Sequence, residues 1–134
     1  MSASRPETSD GQVRSPSFTR VDARGTLMEV LNTGQWACLL CGRMKAQAVM
    51  GNHYHKRTDV FFFLTDGRAE VLSQNLATGE RQQHRLAATE GIWLKTNVAH
   101  AIRFHEESSF VMLKSLPYDR NDPDTFAHPL IDAA

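Results

Sequence analysis

The sequence predicts an all-β chain closed as a small barrel or sandwich, and three observations carry that prediction. From Phe18 onward, short runs rich in Val, Ile, Leu, Phe and Trp alternate with turn residues at spacings of about 8 to 12 residues. Apolar positions follow the two-residue period of strands, and helix start and stop signals are nearly absent. Asp66-Gly67 and Thr78-Gly79 have the chemistry of tight reversals, because these residues tolerate positive φ. At 134 residues the chain has the size of one domain with its own core.

Residues 1–16 are rich in Ser, Pro, Thr and Gly without periodicity and read as a flexible N-terminal arm, leaving 17–134 as the folded domain. Strands are expected at 26–31 (TLMEVL), 35–44 (QWACLLCGRM) and 48–55 (AVMGNHYH), each an apolar run bounded by turn residues. The run 59–65 (DVFFFLT) is apolar on both faces: Phe62 shares a side with Val60 and Leu64, and Phe61 shares the other with Phe63. Such a strand has the interior on one side and either a second subunit or a covering loop on the other, so a homodimer is expected. Asp66-Gly67 leads into 68–74, and Thr78-Gly79 leads from there into 81–86. The runs 91–94 (GIWL), 98–104 (VAHAIRF) and 110–115 (FVMLKS) complete what reads as a meander of hairpins. The tail LPYDRNDPDTFAHPLI carries three prolines and is expected to close as an irregular segment.

Fifteen Lys and Arg balance fifteen Asp and Glu, and no basic run is dense enough to follow a phosphate backbone, which excludes nucleic acid as a partner. No apolar run approaches the roughly 20 residues of a membrane-spanning helix. The N-terminal segment lacks the apolar core of a signal peptide, so a cytoplasmic protein is expected. Cys38 and Cys41 are spaced as CLLC, but on a strand residues three apart point to opposite faces. With no second cysteine pair to complete a zinc site, they read as small apolar strand residues.

The chemistry concentrates at His53 and His55. Two apart in a strand, they leave the same face about 7 Å apart at the Cα, close enough for both rings to reach one ion or one substrate atom. A His-x-His pair facing inward is costly without a partner or a task, because buried polar groups need satisfying. His100 is a third candidate, on a distant strand that closure would bring to the same spot. His105 is expected at the surface, and His84 and His128 lie in polar contexts.

The segment GNHYHKRTDVFFFLTDG resembles the first cupin motif, in which a glycine turn leads into His-x-His and a glycine, here Gly67, follows twelve residues after the second histidine. TEGIWLKTNVAHAIRF is similar to the second motif, with His100 in the histidine position and Lys95 and Asn97 where proline and glycine are usual. Within the cupins the resemblance is closest to the RmlC-like sugar-nucleotide group: the 3,4-ketoisomerases and the cupin domains of capsular-polysaccharide reductases. DARGTLMEV is similar to the DxRGxL segment that opens the ketoisomerases, and NDPDTF resembles the closing segment of the capsular cupins. The resemblance implies a single-domain double-stranded β-helix, a jelly-roll barrel, commonly homodimeric and acting on a nucleotide-linked keto sugar. Two positions depart from the pattern. Metal-binding cupins place a glutamate five residues after the second histidine; here that residue is Val60, with Asp59 one residue earlier as an offset ligand. Met50 stands where arginine is usual.

Three functions follow. The first is an isomerase or epimerase in which His55 is the principal base, His53 its partner, and His100 and Tyr118 secondary acid or orienting groups, since an imidazole with a pKa of about 6.5 both accepts and donates protons. Arg24 would hold a nucleotide phosphate and Trp93 would line the ligand cavity. The second is a metal enzyme in which His53, His55 and His100 hold one divalent ion (Zn, Fe, Mn or Ni) for dehydration, cyclisation or oxygenation of a small metabolite. The third is a non-enzymatic sugar- or ligand-binding barrel. The first two differ in cofactor: none, or one metal.

Overall fold

A computed structural model of the chain describes residues 11–132. Strands β1 (Phe18–Asp22) and β2 (Gly25–Glu29) form a hairpin of their own. Strands β3 (Cys38–Met44), β5 (Val60–Asp66), β8 (Glu90–Leu94) and β10 (Ser108–Lys114) make an antiparallel sheet in the order β3-β10-β5-β8. Strands β4 (Val49–Tyr54), β6 (Arg68–Asn75), β7 (Arg81–Ala87), β9 (Val98–Phe104) and β11 (Phe126–Ala127) make the facing sheet, in the order β11-β4-β9-β6-β7. The chain is therefore all-β, a jelly roll of two facing sheets.

The nine strands expected from periodicity correspond to β2 through β10, but they do not run as a meander. From β3 onward every connection except β6 to β7 crosses to the opposite sheet. Asp66-Gly67 is thus an arch rather than a hairpin: β5 pairs with β8 and β10, and β6 pairs with β7 and β9. Gly67 (φ 101) is required there, because a Cβ would collide with the side chain of Ser108. Local turn chemistry marks a reversal without saying whether the chain stays in its sheet. Thr78-Gly79 does close a hairpin, with the Gly79 N–H donating to the Asn75 carbonyl. Two short strands escaped the sequence reading, β1 and β11. The tail is not wholly irregular, since Phe126 and Ala127 pair with Tyr54 and His53. Within the expected arm, Arg14 pairs with Gly91, and Val13 packs on the core; residues 1–10 lie outside the described part.

Between the sheets, alternate residues interdigitate: Val60, Phe62 and Leu64 from β5, Val71 from β6, Ile92 and Leu94 from β8, Ile102 and Phe104 from β9, and Phe110 from β10. Full burial of each such side chain is worth about 1.5–3 kcal/mol. The second apolar face of β5 packs Phe61 and Phe63 against Trp93, Val30, Leu31 and Trp36. The covering-loop alternative thus describes this strand, because the chain's own residues between β2 and β3 bury the outer phenylalanines.

Candidate active site

A bulge aims the histidines. Met50 is opposite Ile102 and packs on the core, so simple alternation would point His53 outward. The β4–β9 register shifts between Gly51 and His53, with Gly51 (φ 94) and Asn52 (φ 59) in left-handed conformations, and His53 then lies opposite His100. A Cβ on Gly51 would sit 2.9 Å from the His100 carbonyl oxygen, so glycine permits this close approach. Asn52 fastens the site from outside: its side chain donates to the Ile131 carbonyl and accepts from the Leu130 and Ile131 N–H groups.

The result brings together the three histidines expected from the sequence. Their ring centroids are 4.8 Å (His53–His55), 4.8 Å (His53–His100) and 5.5 Å (His55–His100) apart. His55 and His100 are buried and His53 is half-buried. Burial disfavours the imidazolium, so His53 is pushed down to about 4, with His55 and Lys114 adding repulsion. His100 is pushed down to about 3 by burial first, then by His53 and His55. His55 also lies below its usual value through burial, partly offset by a hydrogen bond to Asp124. All three are neutral at physiological pH.

That hydrogen bond determines the His55 tautomer. Nδ1 is 2.6 Å from the Asp124 carbonyl oxygen, which only accepts, so Nδ1 carries the proton and Nε2 keeps a free lone pair. The Asp124 carboxylate accepts from the Lys56, Arg57 and Thr58 N–H groups and the Thr58 hydroxyl. Those donors outweigh the opposing effect of burial and hold the carboxyl below its usual range. One tail residue therefore orients the base with its backbone and organises the loop after β4 with its side chain.

His55 opens onto a cleft of about 250 Å³ also lined by Arg57, Thr58, Lys114, Tyr118 and Asp122. Tyr118 is 68% exposed and stands at the mouth. Lys114 shares the inward face of β10 with Phe110 and Met112, opposite Val60. Asp59 lies outside the cluster: its carboxylate accepts from the Thr96 N–H, while Val60 points into the core. The offset of one residue thus turns the carboxylate away. Arg24 is exposed on the β1–β2 turn, ion-paired with Asp22 and lining a separate groove, so the described chain does not bring it to the histidines. Trp93 stands on the outer face of its sheet, 5.0 Å from Trp36, rather than in the histidine cleft. Cys38 and Cys41 are free thiols. Among the expected bland histidines, His105 is exposed beside Glu70, and His128 contacts Gln74.

Sequence reasoning missed Lys114, Asp124 and Asn52. Alternation along FVMLK would have found Lys114; Asn52 and Asp124 act through a bulge and a tail that no period reports. For a metal, each of the three histidines offers a ring nitrogen, all within 4.8 Å of one another, and they are the one such group among the described residues. Nδ1 of His100 is buried without a hydrogen-bond partner.

Residues 20–126 match the polysaccharide biosynthesis C-terminal domain family. The chain belongs to that family. No curated protein matches it in sequence. Among solved structures this polysaccharide biosynthesis C-terminal domain is similar to CapF, the capsular polysaccharide assembling protein from Staphylococcus aureus, at 20% identity and a TM-score of 0.66, over 87% of this chain and 34% of that one. It thus spans about a third of the length of CapF. It is also similar to the rmlC epimerase of Mycobacterium tuberculosis (16% identity, TM-score 0.73, 90% of this chain and 70% of that one). A 3,4-ketoisomerase from Helicobacter canadensis is 17% identical, with a TM-score of 0.72 over 87% of this chain and 90% of that one. The domain has the RmlC-like cupin fold. Among the described residues no helix is long and apolar enough to cross a membrane.

Proposed function

We propose that this domain is an isomerase or epimerase of a nucleotide-linked keto sugar, in which paired histidines transfer a proton at a carbon next to the ketone. The observation that carries the reading is the state of His55: Nδ1–H is anchored on the Asp124 carbonyl, and burial keeps the ring neutral, with Nε2 free as a base. His53, also neutral and 4.8 Å away, is the partner that returns the proton. Tyr118 at the cleft mouth orients the sugar, and Arg57 in the same cleft offers charge to a phosphate. The epimerase and ketoisomerase of similar fold support this class of chemistry.

The test is proton exchange. The protein, treated with chelator, is incubated in D2O with dTDP- and UDP-linked 4-keto-6-deoxyhexoses, and deuterium uptake next to the ketone is followed by NMR. Uptake is expected, with turnover reduced about 100-fold or more in His55→Gln while sugar-nucleotide affinity changes little. Absence of exchange on every sugar would sink the reading, and lost affinity without any reaction would favour a binding protein.

The three ring nitrogens within 4.8 Å favour a second reading, a divalent ion held by His53, His55 and His100. Bound there, such an ion would polarise a carbonyl or activate water. Stoichiometric metal in the purified protein, with activity lost on chelation and restored by the ion, would establish it over the first.

A further inference from the structure

The loop between β8 and β9 borders a second cleft, of about 400 Å³, that shares no lining residue with the histidine cleft. Strand register shows how near the two come. One row runs across the inward face of the five-stranded sheet: His53 is opposite His100, His100 is opposite Ser73, and Ser73 is opposite Gln82. Neighbouring strands lie about 4.8 Å apart, so Ser73 is one strand away from His100 and Gln82 is two. Ser73 and Gln82 both line the second cleft. Its volume falls within the range of small-molecule sites, roughly 300–1,000 Å³.

The lining divides into a polar side and an apolar floor. Ser73, Gln82 and Asn97 present one hydroxyl and two carboxamides, and among the described residues these side chains make no hydrogen bond. Asn75 beside them is occupied, since its side-chain oxygen accepts from the Ala77 and Thr78 N–H groups. Hydroxyls and carboxamides both donate and accept, which matches the hydroxyls of a sugar, and such a ligand replaces the water that otherwise satisfies them. The floor is Ile92 and Leu94, both part of the core. A pyranose ring has the same division, with an apolar C–H face and a rim of hydroxyls. Lys95 and Glu80, both exposed, bring one charge of each sign, so the lining has no net charge with which to select an ion.

We infer that the second cleft is a carbohydrate site of its own: it takes a neutral pyranose ring, packed on Ile92 and Leu94 and held at its hydroxyls by Ser73, Gln82 and Asn97. Asn97 also connects this site to the histidines. It sits in a left-handed conformation (φ 60), which asparagine tolerates, and its N–H donates to the His55 carbonyl at 2.7 Å. Its own carbonyl accepts from Leu76, in the turn after β6. A sugar bound to the Asn97 carboxamide therefore acts on the residue that fixes the backbone of His55. The site stands on its own lining and does not depend on the proton-transfer reading.

The test is an NMR titration of the isotope-labelled full chain with methyl glucoside, methyl galactoside and methyl mannoside, with sodium phosphate and glycerol run in parallel. At least one glycoside is expected to saturate the cleft with a dissociation constant on the order of 1–10 mM. The N–H signals of Ser73 and Asn97 and the Gln82 carboxamide should shift together, and the His55 N–H should follow with the same midpoint. Gln82→Ala and Asn97→Gly should each weaken binding about three- to tenfold. Both variants are expected to fold, since Gln82 is exposed and glycine adopts a φ of 60° freely, and thermal melts check this. Shifts that stay linear about tenfold above that concentration range for every glycoside overturn the proposal. So does saturation that neither variant weakens, or saturation by phosphate or glycerol in place of the glycosides. Saturable glycoside binding that leaves His55 unmoved overturns the connection through Asn97 and supports the sugar site alone.

Discussion

At the scale of single residues, burial sets the charge state of the site. His53 and His100 ionise at about 4 and about 3 in the folded chain, against about 6.5 when unfolded. Between those values the unfolded chain binds protons that the folded chain refuses, so stability falls as pH drops below about 6.5 and is unaffected by these groups above about 7. Asp124 is lowered as well and acts in the same direction, but its window lies below the ordinary carboxylate value, outside the range from pH 7 to pH 5. In metal-free protein the urea midpoint should therefore decline steadily from pH 7 to pH 5, and His100→Gln should flatten that slope. A wild-type midpoint constant over this range would contradict the assignment. His55 teaches a related lesson: its chemistry depends less on its pKa than on which nitrogen holds the proton, and a tail carbonyl decides that.

At the scale of elements, the bulge in β4 does the aiming. Alternation alone assigned His53 and His55 correctly to one face, since two residues apart always share a side. Which face they share depends on Asn52, the extra residue that switches the parity between Met50 and His53. Gly51→Ala tests the device, because the left-handed φ of 94° and the 2.9 Å approach to the His100 carbonyl both resist a side chain. A loss of about 2 kcal/mol or more in urea unfolding is expected, with proton exchange falling alongside it. A cost below about 0.5 kcal/mol, ordinary for a surface substitution, would mean that the bulge is not under the constraint described. The tail carries a comparable share of the design. Its prolines argued against any strand, yet Phe126 and Ala127 pair with β4, and Asp124 ties the loop after it. Only two residues need extend between prolines for that pairing, and no periodicity can register so short a run.

At the scale of the whole molecule, one element stands apart. Among the described residues the β1–β2 hairpin pairs with no other strand, and Phe18, Val21 and Leu27 on it are exposed. Two-stranded hairpins are marginal alone in water, so we propose that a second copy of the chain would pair at this hairpin rather than at Phe61 and Phe63, which the chain covers itself. Sedimentation should give about twice the chain mass of 15.0 kDa, and Leu27→Asp should return it to monomer; a wild-type monomer at micromolar concentrations would rule this out. Read alone, the sequence determined the all-β class, nine of the strands and the three histidines, because side-chain alternation and motif spacing are local properties that survive without coordinates. Tertiary structure decided the rest. Sheet crossing turned Asp66-Gly67 from hairpin to arch, a bulge chose the inward face, and closure brought the backbone of Asp124 and the ammonium of Lys114 to His55 from positions about sixty residues away or more. Those contacts are long-range, and a period along the chain carries no information about which distant residue it will meet.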